Sequence, residues 1–342
     1  MNPIPLFVVG AKGLLAAEML RLAAAHAGIG ECHAFSRSEM PDLRAVHPQL
    51  PQPQPVRNLT ELPTALNAAL NEGQAALVLA TPHGVSSTLW ADLQADLLQL
   101  GAKLNDLYVV DLSEDHRLHD GTSKKGAWHY GLPELHDVPS SARHVAVAGC
   151  FATAMQLAVV PLQAANLLKA HAPLIIQGVT ASSGSGAIAK QGTHHPFRES
   201  NFHPYAMNGH RHEKELCHLR NFQNAPTVVF LPYSAPLGRG IYLTAHISLK
   251  KESSGEQINA AFEANFLNSP FIELMPNQAP QLRSIIGSNR AAIGWNHRDG
   301  MAQVFVALDN TIKGGAGQGL QCLNLMLGLP EITGLPLAGL GY

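Results

Sequence analysis

Short apolar segments alternate with helical or turn-rich segments along the first part of the chain. Pro5–Val9 is apolar and leads into a glycine turn, after which leucines and alanines recur near helical spacing, so a strand, a turn and a helix are predicted. Further strands are predicted at Cys32–Phe35, Ala75–Leu79, Leu107–Val110 and Val145–Ala148. Strands that alternate with helices are typical of βαβ units. The predicted fold class is α/β, with a Rossmann-type doubly wound parallel sheet.

The pattern changes after Cys150. A predicted helix at Ala152–Lys169 and an apolar segment at Pro173–Val179 precede a long loop, Ala181–His212, that is crowded with Ser, Gly and His. Strands are then predicted at Thr227–Leu231, Ile241–Leu249 and Met301–Leu308, and helices at Ser253–Phe266 and Gly317–Leu327. This order predicts a second, α+β domain with a mixed or antiparallel sheet, which begins at residue 149.

Composition and charge narrow the range of partners. The 342 residues exceed the usual span of one hydrophobic core, and with 46% hydrophobic and 14% charged residues they are expected to fold into two domains. A net charge of −2 without a long Lys/Arg run excludes the electrostatic footprint of a protein that binds nucleic acid or an anionic membrane. The four cysteines are widely spaced, and no apolar stretch reaches the roughly 20 residues that span a bilayer. We expect a cytoplasmic protein with a small-molecule substrate.

The glycine turn after the first strand has the features of a nucleotide site. Gly10 and Gly13 let the backbone turn tightly, so that the N–H groups of the following helix can hold a pyrophosphate; a plain strand-to-helix turn is the alternative. The acid that would hold the ribose 2′-hydroxyl of NAD is missing after the second strand, where Ser36, Arg37 and Ser38 stand. An arginine flanked by two hydroxyls suits a 2′-phosphate, which indicates NADP.

Cys150 is the candidate nucleophile. It follows an apolar strand and Gly149 and stands at the predicted start of a helix, where the helix dipole stabilises a thiolate. A buried structural cysteine is the commoner case for a lone thiol, but Gly149 permits close backbone approach and histidines follow downstream as acid/base groups. Cys32, Cys217 and Cys322 lack such neighbours and are interpreted as structural.

Residues 209–215 concentrate two His, one Arg and two Glu. The start of a solvated helix accounts for Glu213 and Lys214, whereas His210 is predicted to do acid/base work. A structural zinc site needs four ligands, and Cys150 would be the only plausible thiolate to join the histidines of this segment. Acid/base work is therefore favoured, and no metal is predicted.

A second glycine-rich segment runs from Asp309 to Gly319. Four glycines stand in this segment just before an apolar helix. Such density indicates a backbone packed close to another group, and a flexible turn is the alternative.

Eight segments carry a resemblance to a known family. In chain order they are GAKGLLAAEMLRL (Gly10–Leu22), PHGVSS (Pro82–Ser87), VDLSEDHRL (Val110–Leu118), YGLPEL (Tyr130–Leu135), AGCFATA (Ala148–Ala154), GHRHEKEL (Gly209–Leu216), GRGIYLTA (Gly238–Ala245) and DNTIKGGAGQGLQCLNLMLGL (Asp309–Leu329). Together they resemble the N-acetyl-γ-glutamyl-phosphate reductase family, within the wider aspartate-semialdehyde dehydrogenase superfamily. The resemblance implies that an NADP-binding domain comprises residues 1–148 and is completed by residues 313–342. It also implies that the catalytic, substrate-binding and dimerisation domain comprises residues 149–312.

The resemblance also implies roles for individual residues. Cys150 is expected to be the nucleophile and His210 the acid/base group, with Glu215 as a third catalytic residue near it. The expected substrate contacts are Arg117, Arg239 and His212. The residues expected to bind NADP(H) are Gly10, Ala11, Lys12, Gly13, Leu14, Ser36, Arg37, Ser38, Pro82, Ser183, Gly184, Asn310, Lys313 and Gln318.

The implied activity is the NADPH-dependent reduction of N-acetyl-γ-glutamyl phosphate to N-acetylglutamate 5-semialdehyde in arginine biosynthesis. Phosphate would leave as a thioester forms on Cys150, hydride would reduce that thioester, and His210 would protonate the resulting oxyanion before the aldehyde is freed. A homodimer or homotetramer is expected.

Departures from the family pattern leave the acyl group open. Val147-Ala148 and Phe151-Ala152 flank Gly149-Cys150 where common members carry Asn-Pro and Tyr-Pro, and Ser185–Ala189 lacks the family's loop arginine. A reductase of carrier-protein-linked aminoadipyl or glutamyl phosphate, or an aspartate-semialdehyde dehydrogenase, is therefore an alternative, although no basic cluster favours an acidic carrier protein. Two alternatives belong to other classes of protein. A Cys-His hydrolase would use Cys150 and His210 but would have no need of the nucleotide motif, and a non-catalytic NADP-binding regulator would have no need of Cys150 and His210.

Overall fold

The computed structural model describes residues 2–118, 128–218 and 227–341, which divide into two units. The first unit extends to Ala148 and includes Gly315–Leu335; the second comprises Gly149–Gly314 and the chain from Pro336 onward. This division differs from the predicted segment 313–342 at both ends. The last residues return to the second unit because the Leu340 N–H donates to the carbonyl of Ile286, at 2.8 Å.

The first unit is a parallel sheet with helices on both faces. Its strands are β1 (Ile4–Val9), β2 (Ile29–Ser36), β3 (Val56–Asn58), β4 (Ala75–Leu79), β5 (Leu107–Asp111), β6 (His129–Gly131) and β7 (His144–Val147). Its helices are α1 (Leu14–Ala23), α2 (Leu62–Glu72), α3 (Ser86–Gln99) and the last helix of the chain, α8 (Gly317–Met326). The strand order is β3-β2-β1-β4-β5-β7-β6, and every neighbouring pair is parallel.

Burial explains why this sheet forms. The strands β4 and β5 are buried along their whole length, as central strands covered on both faces must be. Leucines of α2 and α3 pack with Leu77, Leu79 and Val109 on one face, whereas Gly319 of α8 lies against Val110 on the other. The predicted doubly wound, Rossmann-type sheet is confirmed.

The second unit contains a mixed sheet. Its strands are β8 (Leu174–Thr180), β9 (His203–Pro204), β10 (Val228–Ser234), β11 (Ile241–Ser248), β12 (Ile272–Pro276), β13 (Ala291–Arg298) and β14 (Met301–Leu308), and its helices are α4 (Cys150–Ala164), α5 (His195–Arg198), α6 (Arg211–His218) and α7 (Gly255–Phe266). The order is β12-β13-β14-β11-β8-β10-β9; the pairs β8–β10 and β12–β13 are parallel and the other pairs are antiparallel. The predicted mixed sheet of an α+β unit is confirmed.

One edge of the second sheet gathers the segments that matter for function. The register pairs Ile241 with both Thr180 and Leu308, and Ser234 with Thr180. The ends of β8, β10 and β14 therefore meet the start of β11, and the loops that follow them lie together. Phe151 of α4 packs on this sheet, since a Cβ added to Gly178 would lie 2.4 Å from its ring.

The long loop 181–212 contains short elements that the sequence pattern did not predict. These are 3-10 turns at Ser182–Ser185 and Gln191–Thr193, the helix α5, the strand β9 and the start of α6. In the described part of the chain, no helix is both long enough and apolar enough to cross a membrane.

Candidate active site

Cys150 is the first residue of α4, as predicted, and its position is fixed by the peptide before it. Gly149 is extended (φ −65°, ψ 148°), and its N–H donates to Oε2 of Glu215 at 3.0 Å. A Cβ at Gly149 would lie 2.4 Å from Nε2 of His212 and 2.8 Å from Oε1 of Glu215. Only glycine therefore allows α6 to pack this closely on the start of α4. Glu215 and His212, with 3% and 2% of their surfaces exposed, thus lie against the peptide that precedes Cys150, and their predicted catalytic and substrate-binding roles stay predictions.

Gly314 also packs closely against Cys150. A Cβ at Gly314 would lie 2.8 Å from Cβ of Cys150, 3.2 Å from its Cα and 3.2 Å from a methyl carbon of Leu308. The Gly314 N–H donates to the carbonyl of Asp309 at 2.9 Å, which holds this turn in place. The predicted close packing of the glycine-rich segment is confirmed at this position.

We expect Gly314→Ala to lower kcat by about 100-fold, because the added methyl group must displace the nucleophile and misplacement by about 1 Å costs that much. The overpacking should also lower the free energy of unfolding by about 1–3 kcal/mol. Gly255→Ala is the matched control, since a Cβ there meets nothing within 4 Å and the residue begins helix α7. Steady-state kinetics and thermal denaturation of both variants check the prediction, which fails if the Gly314 variant matches the control.

His210 lies beside this start of α4. Its ring centroid is 5.8 Å from that of Phe151, 4.7 Å from that of His212 and 5.5 Å from that of Phe230. Burial and the positive charge of Arg211 lower the pKa of His210 to about 4, so its imidazole is neutral at pH 7. A neutral imidazole is a proton acceptor, as a base for the Cys150 thiol must be, and the predicted acid/base role of His210 stays a prediction.

The acidic residues of α6 divide into two roles. The carboxylate of Glu213 accepts the N–H of His210 at 2.6 Å and so caps the first turn of the helix, which agrees with the interpretation of this residue as part of a helix start. The carboxylate of Glu215, two residues later, instead accepts the N–H of Gly149, the residue before Cys150.

Tyr205 joins the site from the long loop, and no motif in the sequence pointed to it. Its ring centroid is 6.0 Å from that of His210. Burial raises the pKa of Tyr205 above its ordinary value, and negative charge on Cys150 would raise it further. Its N–H donates to the carbonyl of Pro232, at 3.0 Å, and ties the loop to β10.

Arg239, which is partly exposed, forms an ion pair with the buried carboxylate of Asp309 at the sheet edge. Nε of Arg239 lies 2.8 Å from Oδ2 of Asp309, and its Nη2 also contacts Thr311. The carboxylate of Asp309 accepts the N–H of Gly287 as well, at 2.8 Å. These contacts brace the end of β14 and neutralise the charge of Arg239. Its predicted contact with substrate stays a prediction.

The residues predicted to lie near the cofactor in the second unit are partly brought together. The amide oxygen of Asn310 accepts the N–H of Gly240 at 2.6 Å, and its Nδ2 donates to Oγ of Ser183 at 3.1 Å. Gly184 follows Ser183 in the same short turn. Lys313 is fully buried, with Nζ 5.5 Å from the ring centroid of Phe271.

Arg117, in the first unit, has a structural environment. It is buried, and its guanidinium donates to the backbone carbonyls of Val147, at 2.7 Å, and Leu112, at 3.1 Å. These bonds secure the ends of β7 and β5. Its predicted contact with substrate is likewise still a prediction.

The glycine turn after β1 has the geometry of a nucleotide cradle. Gly10 has φ +82°, and a Cβ there would lie 2.3 Å from the carbonyl oxygen of Ala80, so only glycine fits. The N–H groups of Gly10 and Ala11 both donate to the carbonyl of Phe35, and α1 then starts at Leu14 with no side-chain cap on its first turn. Because β1 lies between β2 and β4, this turn sits at the point where the strand order reverses, the usual place for a dinucleotide.

The end of β2 supplies basic and hydroxyl groups beside this turn. Nζ of Lys12 donates to Oγ of Ser38 at 2.7 Å, and Arg37 is exposed next to it after Ser36, the last residue of β2. An exposed cation, a second cation and two hydroxyls fit a 2′-phosphate. Pro82, just after β4, is exposed, and Gln318 is fully buried in α8.

The remaining cysteines lack the features of Cys150. Burial and the charge of Glu31 raise the pKa of Cys32 to about 11, and burial together with Glu213 raises that of Cys217. Among residues 2–118, 128–218 and 227–341, no group of three or more His, Cys, Asp or Glu side chains is arranged to hold a metal ion.

Comparisons with known proteins place both units in one class. Residues 6–141 match the family model described as semialdehyde dehydrogenase, NAD binding domain, and residues 150–310 match the model described as semialdehyde dehydrogenase, dimerisation domain. The fold also resembles a solved aspartate semialdehyde dehydrogenase II from Vibrio cholerae, with a TM-score of 0.71 at 17% identity over 96% of this chain and 99% of that chain.

Sequence relatives narrow the class further. The chain is 35% identical to an N-acetyl-gamma-glutamyl-phosphate reductase of Stenotrophomonas maltophilia over 96% of this chain and 97% of the relative, and 33% identical to one of Methanocaldococcus jannaschii over 97% and 98%. The chain therefore belongs to the N-acetyl-γ-glutamyl-phosphate reductase family, as its motifs predicted.

Proposed function

We propose that this protein reduces N-acetyl-γ-glutamyl phosphate to N-acetylglutamate 5-semialdehyde with NADPH, releasing phosphate, as a step of arginine biosynthesis. The observation that carries the proposal is the environment of Cys150: a helix-start thiol held between Gly149, bonded to Glu215, and Gly314, with a neutral His210 beside it. Full-length relatives that bear the name of this activity support the choice of acyl group.

In the proposed reaction, His210 accepts the proton of the Cys150 thiol and the thiolate attacks the acyl carbon. The carbon–oxygen bond to phosphate breaks, phosphate leaves with the bonding electrons, and a thioester remains on Sγ. Backbone N–H groups in the uncapped first turn of α4 stabilise the negative charge that develops on the substrate oxygen. NADPH, when bound, supplies the hydride for reduction to the aldehyde.

The cofactor proposal makes a separate prediction. Arg37→Ala should raise KM for NADPH by about 10-fold without changing KM for NADH, because only NADPH carries the 2′-phosphate that Arg37 would bind. Arg44→Ala is the matched control: Arg44 is an exposed arginine of the same unit, 2.6 Å from Asp42. Initial rates with each nucleotide measure the effect, and equal changes for NADPH and NADH would contradict it.

The substrate is tested by phosphate-dependent oxidation of aldehydes with NADP. N-acetylglutamate 5-semialdehyde should be oxidised at the highest kcat/KM, ahead of aspartate semialdehyde and of a carrier-protein-linked semialdehyde. Preference for the carrier-linked aldehyde would replace the proposal with the carrier-dependent alternative. NADP binding without any turnover would indicate a regulator.

We further propose a cytoplasmic homodimer or homotetramer. On β8 and β11, buried residues alternate with accessible ones, so one face of the second sheet is open to a partner, and the match to a dimerisation domain supports this use. Sedimentation equilibrium would measure the mass of the assembly, and a monomer at all concentrations would refute it.

A further inference from the structure

Arg198 stands out in the long loop. Between Ser182 and His210, a stretch that the structure describes throughout, Arg198 is the only buried residue, with 6% of its surface exposed. It is the last residue of the short helix α5, and Phe197, the residue before it in that helix, is 53% exposed. Arginine is almost never buried unless a partner compensates its charge.

The guanidinium of Arg198 is held by two neutral groups. Its Nε donates to Oγ of Ser182 at 2.8 Å, and its Nη1 donates to Oγ of Ser234 at 2.7 Å. Its Nη2 is buried and has no hydrogen-bond partner among residues 2–118, 128–218 and 227–341. The two serines fix the orientation of the side chain but leave its charge uncompensated, with donors still available on Nη2.

No carboxylate in the described part of the chain forms an ion pair with Arg198, whereas Arg239 has Asp309. Burial also lowers the pKa of Arg198, which reflects the free-energy cost of keeping this cation out of water. The guanidinium therefore has a fixed orientation and a positive charge that no described carboxylate compensates, and such a group is suited to bind an anion supplied by a ligand.

The position of Arg198 agrees with a ligand at the active site. Ser182 follows β8 and Ser234 ends β10, at the sheet edge described above. The residue after Ser182, Ser183, bonds to Asn310, and Ser234 pairs with His203 of β9. Two residues beyond His203, the ring centroid of Tyr205 lies 6.0 Å from that of His210, which in turn lies 5.8 Å from that of Phe151, the residue after Cys150. The two serines thus hold Arg198 at the edge where the nucleophile lies.

We propose that Arg198 binds the carboxylate of the acyl group that Cys150 carries, and thereby fixes which carbonyl carbon faces the sulfur. This inference rests on the proposed function, because the proposed substrate has one carboxylate away from its reacting carbonyl. A carboxylate is favoured over the leaving phosphate because the acyl group stays on the enzyme through both half-reactions, whereas phosphate must escape to solvent after the first. A guanidinium with little exposed surface suits the group that stays.

The experiment compares N-acetylglutamate 5-semialdehyde with its α-methyl ester in wild type and in Arg198→Met. Esterification should raise KM by about 10- to 100-fold for wild type, the range expected for a lost charge-assisted hydrogen bond. Arg198→Met should raise KM for the acid by a similar factor and no longer distinguish the acid from the ester. KM for phosphate should not change. Arg198→Lys keeps the positive charge but loses the planar array of N–H donors, so its KM for the acid should lie between the values of wild type and Arg198→Met.

Controls separate binding from structure. Arg298→Met removes an exposed arginine of the same unit, paired with Asp299, and should leave every constant unchanged. Arg198→Met should not lower Tm, since it removes an uncompensated buried charge, whereas a purely structural arginine would lower Tm and leave the acid-to-ester ratio intact. That intact ratio, or a rise in KM for phosphate alone, would overturn the inference.

A binding measurement keeps the inference independent of the reaction. Calorimetric titration with N-acetyl-L-glutamine, which carries a single carboxylate, should give weaker binding to Arg198→Met than to wild type. If wild type binds this probe through Arg198 but oxidises no acylated glutamate semialdehyde, the proposed function fails and the anion site stands. If wild type turns over the semialdehyde and Arg198→Met behaves like Arg298→Met, only the anion site fails.

Discussion

Cys150→Ser should abolish phosphate-dependent oxidation of the semialdehyde, with kcat lowered by about 10⁴-fold or more, because a hydroxyl at this position is not a comparable nucleophile. The substitution is nearly isosteric, so the packing of Gly314 and Gly149 around the residue should persist and Tm should change little. Steady-state rates and thermal denaturation test both statements.

A direct test of the same step uses intact mass. Wild type mixed with the acyl phosphate in the absence of NADPH should gain the mass of the acyl group, and Cys150→Ser should not. Cys32→Ser is the control, because burial and Glu31 raise the pKa of that thiol to about 11. This variant should be acylated, and should turn over, like wild type. Acylation of the Cys150→Ser protein at the wild-type rate would refute the thioester.

The second large effect concerns His210. His210→Gln should lower kcat by about 10²- to 10⁴-fold, the usual contribution of a positioned acid/base group. Because burial and Arg211 lower the pKa of His210 to about 4, the imidazole of wild type remains a base as the pH falls from 7 towards 4. The His210-dependent acid limb of kcat/KM should therefore have its midpoint near pH 4.

Removal of a positive charge from α6 tests why the pKa of His210 is lowered. Arg211→Gln should move the acid midpoint upward, because a positive charge that disfavours protonation of His210 is lost. Lys214→Gln, which removes an exposed charge from the same helix, should not move it. Rates measured between pH 4 and 8 distinguish these outcomes, and a wild-type midpoint near 6.5 would contradict the role of burial.

Local patterns predicted the parts of this fold that depend on local chemistry. Ala75–Leu79 and Met301–Leu308 are strands with the predicted bounds, because continuous or alternating apolar residues have few other ways to be buried. Cys150 was placed at a helix start by the glycine and strand before it. By contrast, β6 and β9 are two or three residues long and are held by register with neighbouring strands, which no local pattern encodes.

Candidate reactive residues could be chosen from the sequence, whereas the residues packed around them could not. Cys150 and His210 could be selected because Cys150 follows a glycine at a predicted helix start and His210 stands in a cluster of ionisable residues. Arg198 and Tyr205 were missed because their significance comes from burial and from contacts with distant residues. The contact of Gly314 with Cys150 joins residues far apart in sequence; the glycine density indicated a close approach but not its partner.

The return of α8 to the first unit has a consequence for the order of synthesis. A ribosome completes the seven strands of the first sheet early, but it makes α8 only after the whole of the second sheet. Until then the face of β5 that Gly319 covers, with Val110 and the nearby Leu112, has no helix on it. The nascent chain must therefore carry an open apolar surface through most of its translation, and we expect chaperone contact in that interval.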